Sequence, residues 1–293
     1  MNWDDLKIFL CVARHRKLAA AARELKLDET TISRRLKRLE DTLGHRLFER
    51  LRSGHHLTQY GQALLATAEE IELQTAIIQA PQAPLSQSPS GTIRISVAEG
   101  FGVFVLSPCL GAFHKKYPQI EIDLVAGSGF LSLSRREADI AIGLSRPKSA
   151  HIISELLCKY DLHLYAHSDY LAQHEPIKSP IDLSGHLLID YVDDLIYAEE
   201  LRYFETALPQ LRPGLRSTSI TAQRNLVKDG TGLAILPDFM TSDDLVKVLP
   251  GSISLSRQFW FSVHKTIAPL AKIQAFKAFI FEYLSKSATL STD

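Results

Sequence analysis

The stretch from Leu18 to Arg50, LAAAARELKLDETTISRRLKRLEDTLGHRLFER, limits what this chain can fold into more than any other segment. Residues 19–25 are rich in alanine, so a helix costs little there and a second helix can approach closely. Lys26 and Leu27 supply a short turn. Asp28 stands where a second helix needs its cap, with Glu29 in the first turn, where the helix dipole favours an acid. Ile32, Leu36 and Leu39 recur at helical spacing and predict an inward face. Thr30, Thr31, Ser33, Arg34, Arg35, Lys37 and Arg38 fall between them and are expected to point outward, and Gly44 ends the helix.

A helix presenting Thr, Ser and Arg near its start carries the chemistry for reading base edges in the major groove of double-stranded DNA. Arginine takes guanine in a two-pronged contact, and hydroxyls meet bases or phosphates. A basic amphipathic helix is by itself also compatible with a merely solvated face. The order of the pieces says more: a leading helix, an Ala-rich helix, a tight turn, a basic helix, then Arg46-Leu47-Phe48-Glu49-Arg50. In this order the chain resembles the LysR-type transcriptional regulator family, specifically over residues 3–61 and more weakly to the C-terminus. The resemblance implies an α/β fold class: a winged helix-turn-helix (residues 1–60), a dimerising linker helix (61–80) and a two-lobed effector domain like a periplasmic binding protein (92–293). Lobe I would span about 92–162 and 267–293, and lobe II about 163–266. By the same resemblance Thr30, Thr31, Ser33 and Arg34 sit at base-reading or groove-facing positions. Lys17, Glu29, Arg35, Lys37 and Arg38 are expected around them, with Arg50, Arg52 and the wing up to Thr58 on the backbone or the minor groove of promoter DNA.

The sequence departs from the family pattern in three places. Glu29 stands where relatives often have Gln; an acid cannot pair with adenine, although it can accept from a cytosine amine. Arg16 and Lys17 fill the region where a Ser usually caps the second helix. The wing lacks a common proline and carries His55 and His56, read as surface residues because no cysteine or carboxylate cluster accompanies them.

Charge agrees with a reader at one end. The chain is formally neutral, yet residues 1–60 hold 13 Lys and Arg against 8 Asp and Glu. The excess of five is moderate, so tight binding is expected to need more than one copy. Leu57, Gly61, Leu64, Ala68, Ile71, Thr75 and Ile78 step by four and three alternately, a heptad seam. Leu64, Ala68, Ile71 and Ile78 are the expected dimerisation positions of a homodimer or homotetramer; the competing reading is a helix packed against its own domain. Pro81 must stop this helix, and APQAPLSQSPSG (residues 80–91) reads as a hinge, taken as 81–91.

From Thr92 onward strands alternate with helices. Strands are expected at 92–98, 120–125, 139–143, 162–167, 187–191, 233–236 and 259–264, and helices at 108–117, 131–137, 221–228 and 270–284. This alternation argues for parallel α/β sheets, with a ligand beyond the carboxyl ends of the strands. The resemblance places a small-molecule effector, whose identity the sequence leaves open, in the cleft between the lobes. The matching positions are Glu99, Gly100 and Phe101 after the first strand, Ser128 and Gly129 after the second, and Ser145 and Arg146 after the third, with Asp190, Thr218 and Thr221 opposite. Glu99 suits an anion poorly. It points to an amine, to a neutral compound, or to a salt bridge with Arg146.

Other chemistries find no footing. Cys11, Cys109 and Cys158 form no metal or CxxC spacing. Cys11 is expected in the core, and Cys109, after Pro108 at a helix start, is a conceivable redox switch. No P-loop, GxGxxG, GxSxG or HExxH occurs, so no cofactor and no metal site are expected, and the short GxG pairs read as turns. An α/β enzyme with a helical oligomerisation module is the competing class, and it lacks any paired acid, base or nucleophile. The chain opens on an amphipathic helix rather than a secretory leader and has no long apolar run, so a soluble, cytoplasmic protein with no membrane partner is expected.

Overall fold

The computed structural model describes residues 2–51, 54–79, 88–127, 133, 137–286 and 290, without the side chains of residues 66, 70, 73, 74 and 76–79. The sequence expectations for Arg52, Ser128, Gly129, most of the helix at 131–137 and the side chain of Ile78 lie outside these residues. The chain divides into two compact units, residues 1–87 and 88–293.

In the first unit α1 (Trp3–His15) and α2 (Leu18–Leu25) lead into α3 (Glu29–Leu43). Asn2 caps α1, and Lys17 begins α2 with no side-chain cap, the consequence of the missing serine. The α2–α3 turn closes through Lys26 in the left-handed region, φ 53°, and Gly44 ends α3 at φ 71°. A hairpin of β1 (Phe48–Leu51) and β2 (Gly54–Leu57) forms the wing. Glu40 on α3 accepts from the amides of Leu47 (2.7 Å) and Phe48 (3.2 Å) and so fixes the wing's root. Leu6, Phe9, Leu10, Ile32, Leu36, Leu39, Leu47 and Phe48 make the buried core.

The linker helix α4 (Gln59–Gln79) starts where Thr58 accepts from the amide of Gly61 at 3.0 Å. Here the heptad reading needs correction. Leu57 lies in β2, not in the helix. Ala68 is fully buried, and Leu64 and Ile71 pack on the unit's own core. Arg14 of α1 clamps Glu72 at 2.6 Å. This stripe thus packs α4 against the unit's own core, with Ala68 fully buried and Leu64 and Ile71 only partly so.

In the second unit β3 (Gly91–Ala98) runs into α5 (Glu99–Phe101), a π-helical turn at Gly102–Leu106 and α6 (Ser107–Lys116). Next come β4 (Ile120–Gly127), β5 (Ile140–Gly143), the long β6 (Ile152–His167) and α7 (Ser168–Ala172). Then follow β7 (Leu188–Asp190), α8 (Tyr203–Ala207), β8 (Leu215–Arg216) and α9 (Ile220–Lys228). The unit closes with β9 (Leu233–Pro237), β10 (Leu245–Val248), β11 (Ser254–His264) and α10 (Ala271–Leu284).

The sheet is mixed rather than parallel throughout. β3 pairs in parallel with β4 and β5, and β7 with β8 and β9. Between these groups β6 and β11 pair antiparallel along nearly their whole length, with a register shift at Phe259/Trp260. The later halves of β11 and β6 meet different neighbours: β11 pairs β5, while β6 pairs β9 and β10. Two parallel groups are thus joined by two crossing strands. Glycines expected in turns prove to be packing positions: a Cβ on Gly100 would stand 2.9 Å from the Met240 sulfur, and one on Gly102 would stand 2.8 Å from side-chain carbons of Ala126 and Val97.

A Cβ at Gly61 would lie 2.2 Å from the backbone oxygen of Leu47, which cannot swing aside. Gly61→Ala is expected to push α4 off the wing's root and destabilise the first unit by about 1–3 kcal/mol. A lower melting temperature of the chain checks this; an unchanged one would refute the packing described.

Candidate nucleic-acid interface and ligand cleft

The outward face of α3 sorts into occupied and free groups. Asp28 caps the helix by accepting from the Thr31 amide at 2.7 Å, and the Thr30 and Thr31 hydroxyls also donate to its carboxylate. These bonds, the Thr30 hydroxyl first, hold the Asp28 carboxyl well below the usual carboxylate range. Both hydroxyl protons are thereby committed, leaving their oxygens as acceptors. Arg38 grips the buried Asp5 of α1, with nitrogens 2.6, 2.7 and 3.0 Å from its oxygens, and Arg35 stands 3.8 Å away. A carboxylate buried at a helix interface needs such partners, so these two arginines orient α3 on α1. Glu29, Arg34 and Lys37 remain exposed on the helix and Lys17 at the start of α2.

A groove of about 810 Å³ runs between α3 and the wing. Ser33, Lys37, His45, Arg46 and Arg50 line it, together with Glu40 and Glu49. The fold thus brings Ser33, Lys37 and Arg50 to one concavity. His55 is half-buried rather than a surface residue, its amide bonded to the Arg16 carbonyl at 2.7 Å. Burial, with the nearby Arg50 charge, lowers its pKa. Cys11, His15 and Glu24 come within 4.8 Å of one another. Burial pushes the Cys11 thiol up to about 12, so it stays protonated in the core. Cys109 is likewise buried and pushed up to about 11, which removes the activation expected from its place near a helix start.

In the second unit Glu99, Gly100, Phe101 and Thr218 line a common cavity, as the sequence places them. Its free volume is about 20 Å³, room for roughly one water. Glu99 reaches from the end of β3 to the start of α9. Its carboxylate accepts from the Ser219 hydroxyl at 2.7 Å and the Ile220 amide at 3.2 Å. The pairing of Glu99 with Arg146 does not form: the Arg146 guanidinium lies 5.7 Å over the Trp260 ring instead. Ser145 and Arg146 are exposed beside the cavity lining rather than in it.

Asp190 and Thr221 are not cavity-lining residues either. Asp190 closes β7 almost fully buried, and its Oδ1 has no partner among the described residues; the Thr221 hydroxyl is also unpartnered there. Tyr191, within the 190–194 segment expected at the cleft, does line it, but sequence reasoning missed the other walls: Tyr160, Tyr197, Tyr203, Phe239 and Phe259. One signal was available, since three of the chain's nine tyrosines fall at 191, 197 and 203. Tyr160 and Phe259, on the two crossing strands, stack at 4.6 Å.

Burial pushes the Asp190 carboxyl up to about 6, against an ordinary 3.8. A carboxyl raised in the fold stays neutral there while the unfolded chain has already ionised. The contribution of Asp190 to stability is then fully present below pH 3.8, falls as pH rises towards about 6, and stays lower above it. Asp190→Asn is expected to flatten this slope and to raise stability at neutral pH by roughly 2 kcal/mol. Melting temperatures of both proteins from pH 4 to 8 check it; parallel profiles would refute it.

Comparison with known proteins agrees with both halves. The model for the bacterial regulatory helix-turn-helix protein, lysR family, matches residues 3–62, and that for the LysR substrate binding domain matches residues 86–285. The chain is 29% identical over 263 residues to the HTH-type transcriptional regulator PtxR of Pseudomonas aeruginosa, covering 86% of this chain and 83% of that one. It is 30% identical over 243 residues to the Mau operon transcriptional activator of Paracoccus denitrificans, covering 83% and 82%. A full-length OxyR variant from Pseudomonas aeruginosa superposes with a TM-score of 0.70 at 17% identity, over 99% of each chain, a likeness of fold. Among the described residues no helix is long and apolar enough to cross a membrane. With one family model on each unit, the chain belongs to the LysR family of DNA-binding transcriptional regulators, whose second unit is a periplasmic-binding-protein-like effector domain.

Proposed function

We propose that this regulator reads double-stranded promoter DNA with the exposed start of α3 and adjusts that binding when a small molecule occupies the cleft beside Glu99. The observation that carries the first half is the division of labour on α3. Arg35 and the still exposed Arg38 are tied to Asp5, whereas the exposed Arg34 and Lys37, next to the half-buried Ser33, form no ion pair among the described residues. Arg34 is the base-reading residue, with Glu29 and the oxygens of Thr30 and Thr31 beside it. Lys17, Lys37, Arg50 and Arg52 neutralise phosphates. Arg35 and Arg38 act indirectly, by fixing the helix that carries the others.

Two copies of such a reader bind as a homodimer or homotetramer, which the modest positive excess of residues 1–60 requires. Association runs through α4, on the surface that the partly buried Leu64 and Ile71 leave exposed. Residues 1–60 act as the reader, 61–80 as the linker and 81–91 as the hinge. In the effector domain the two parallel strand groups are the lobes. The crossing strands let them change angle, so that an effector shifts the population between a closed and an open cleft. The buried, protonated thiols fit a reducing cytoplasm.

Arg34→Ala is expected to weaken binding to the protein's own operator about tenfold or more and to lose discrimination against random duplex, with no change in melting temperature. Arg38→Ala is expected to lower the melting temperature as Asp5 loses its partner. Fluorescence anisotropy at several salt concentrations checks the binding, and thermal unfolding of both variants checks the melting temperatures. Lys37→Ala is expected to weaken all duplexes alike and to reduce the salt slope by about one. Unchanged operator affinity in Arg34→Ala would refute the assignment.

A further inference from the structure

We propose that the cleft receives an organic cation, an alkylammonium group, with Glu99 as its counter-charge. This rests on the reading of the cleft as the effector site and names the chemistry of its ligand. The first argument is charge. Of the described residues that line the cavity, Glu99 is the single carboxylate, and no described lysine, arginine or histidine joins it. Among the described residues Glu99 forms no ion pair; its contacts are neutral donors, the Ser219 hydroxyl and the Ile220 amide.

The second argument is that the place suited to an anion is already filled. The start of α9 is where free amides would meet an anionic ligand, and there the Glu99 carboxylate takes the Ile220 amide while the Ser219 hydroxyl caps that of Ala222. An anionic effector would have to displace Glu99 and then remain beside it. A cation gains from the same carboxylate, whose oxygens keep lone pairs beyond the single bond that each accepts from α9.

The third argument is the wall. Rings of Tyr160, Tyr191, Tyr197, Tyr203 and Phe259 line the space around the carboxylate. Aromatic faces carry negative potential, and recognition of ammonium groups by clustered rings uses it. An alkylammonium offers methylene or methyl groups to the rings and positive charge to Glu99; a neutral ligand would use only the first. The present free space of about 20 Å³ holds no such ligand, so the cation binds as the cleft opens. Its pull on Glu99 then competes with the two donors of α9 and favours the open form.

The test uses the full-length chain at constant ionic strength. The probes are tetramethylammonium and phenethylammonium chlorides, with phenylacetate as the anionic and 2-phenylethanol as the neutral counterpart of the second. At about 10 mM, at least one ammonium probe is expected to raise the melting temperature by about 3 °C or more, with phenylacetate inert. Calorimetric affinity for that probe is expected to fall about tenfold or more in Glu99→Gln, whose amide oxygen still accepts from α9. Tyr197→Leu, which removes one ring, is expected to weaken it as well and serves if Glu99→Gln fails to fold. The proposal is overturned if neither ammonium probe binds, if phenylacetate binds in their place, or if the foldable variants bind the ammonium as the natural protein does. Duplex DNA titrated into the same samples separates the two levels. Retained DNA binding with an anion in the cleft removes only the cation assignment, whereas absent DNA binding removes the regulator reading itself.

Discussion

The antiparallel pairing of β6 with β11 is the constraint on which the effector domain depends. These strands run through both parallel groups, so each group is completed by a strand that also completes the other. The register shift at Phe259/Trp260 comes where β11 passes from one group to the next. A bulge there increases local twist and re-aims side chains, and Phe259 at that point faces the cavity with Tyr160 from the partner strand. The cleft is thus a product of the crossover: the same two strands that hold the lobes together supply part of its aromatic lining. Glu99 adds a bond across it, from the end of β3 to the start of α9.

The reader domain is governed by a different economy of charge. Burying Asp5 under α3 would be prohibitive without cations, and Arg35 and Arg38 answer that need. Asp28 in turn engages two threonine hydroxyls that a count of polar residues would assign to DNA. What looks in the sequence like one broad basic face divides into arginines paired with Asp5, Arg35 and Arg38, and exposed cations with no ion pair among the described residues, Arg34 and Lys37. Precision follows from this division, because the helix carrying Arg34 is fixed by a two-pronged ion pair, by its cap, and by the wing root at Glu40.

The elements that were legible in the sequence share a cause: each is set by local chemistry. Asp28 as a cap, Gly44 as a stop, and Ile32, Leu36 and Leu39 as an inward face follow from one helix alone, and the structure agrees. The strands at 92–98 and 120–125 announce themselves by alternation of apolar and polar residues and that at 233–236 as an apolar run, and all three form. What escaped depends on partners distant in sequence. β6 extends back to Ile152, although the expectation began at 162, because its first half, with buried and polar positions mixed, is held by β11 about a hundred residues away. The stripe through Leu64, Ala68 and Ile71 has the spacing of a dimer seam, yet periodicity states that a face is buried and not which surface buries it. In the cleft, Glu99 to Phe101 and Thr218 were found because loops after strands are predictable. Tyrosines 160, 197 and 203 were not, since they converge only through topology.

The central claim is that paired copies of α3 read a two-fold symmetric DNA site. Selecting duplexes from a random pool with the full-length protein tests it most directly. The expected product is an inverted repeat whose half-sites lie roughly one helical turn, about 10 base pairs, or a multiple of it apart. A pool that stays random, or that yields a single half-site without symmetry, would contradict it.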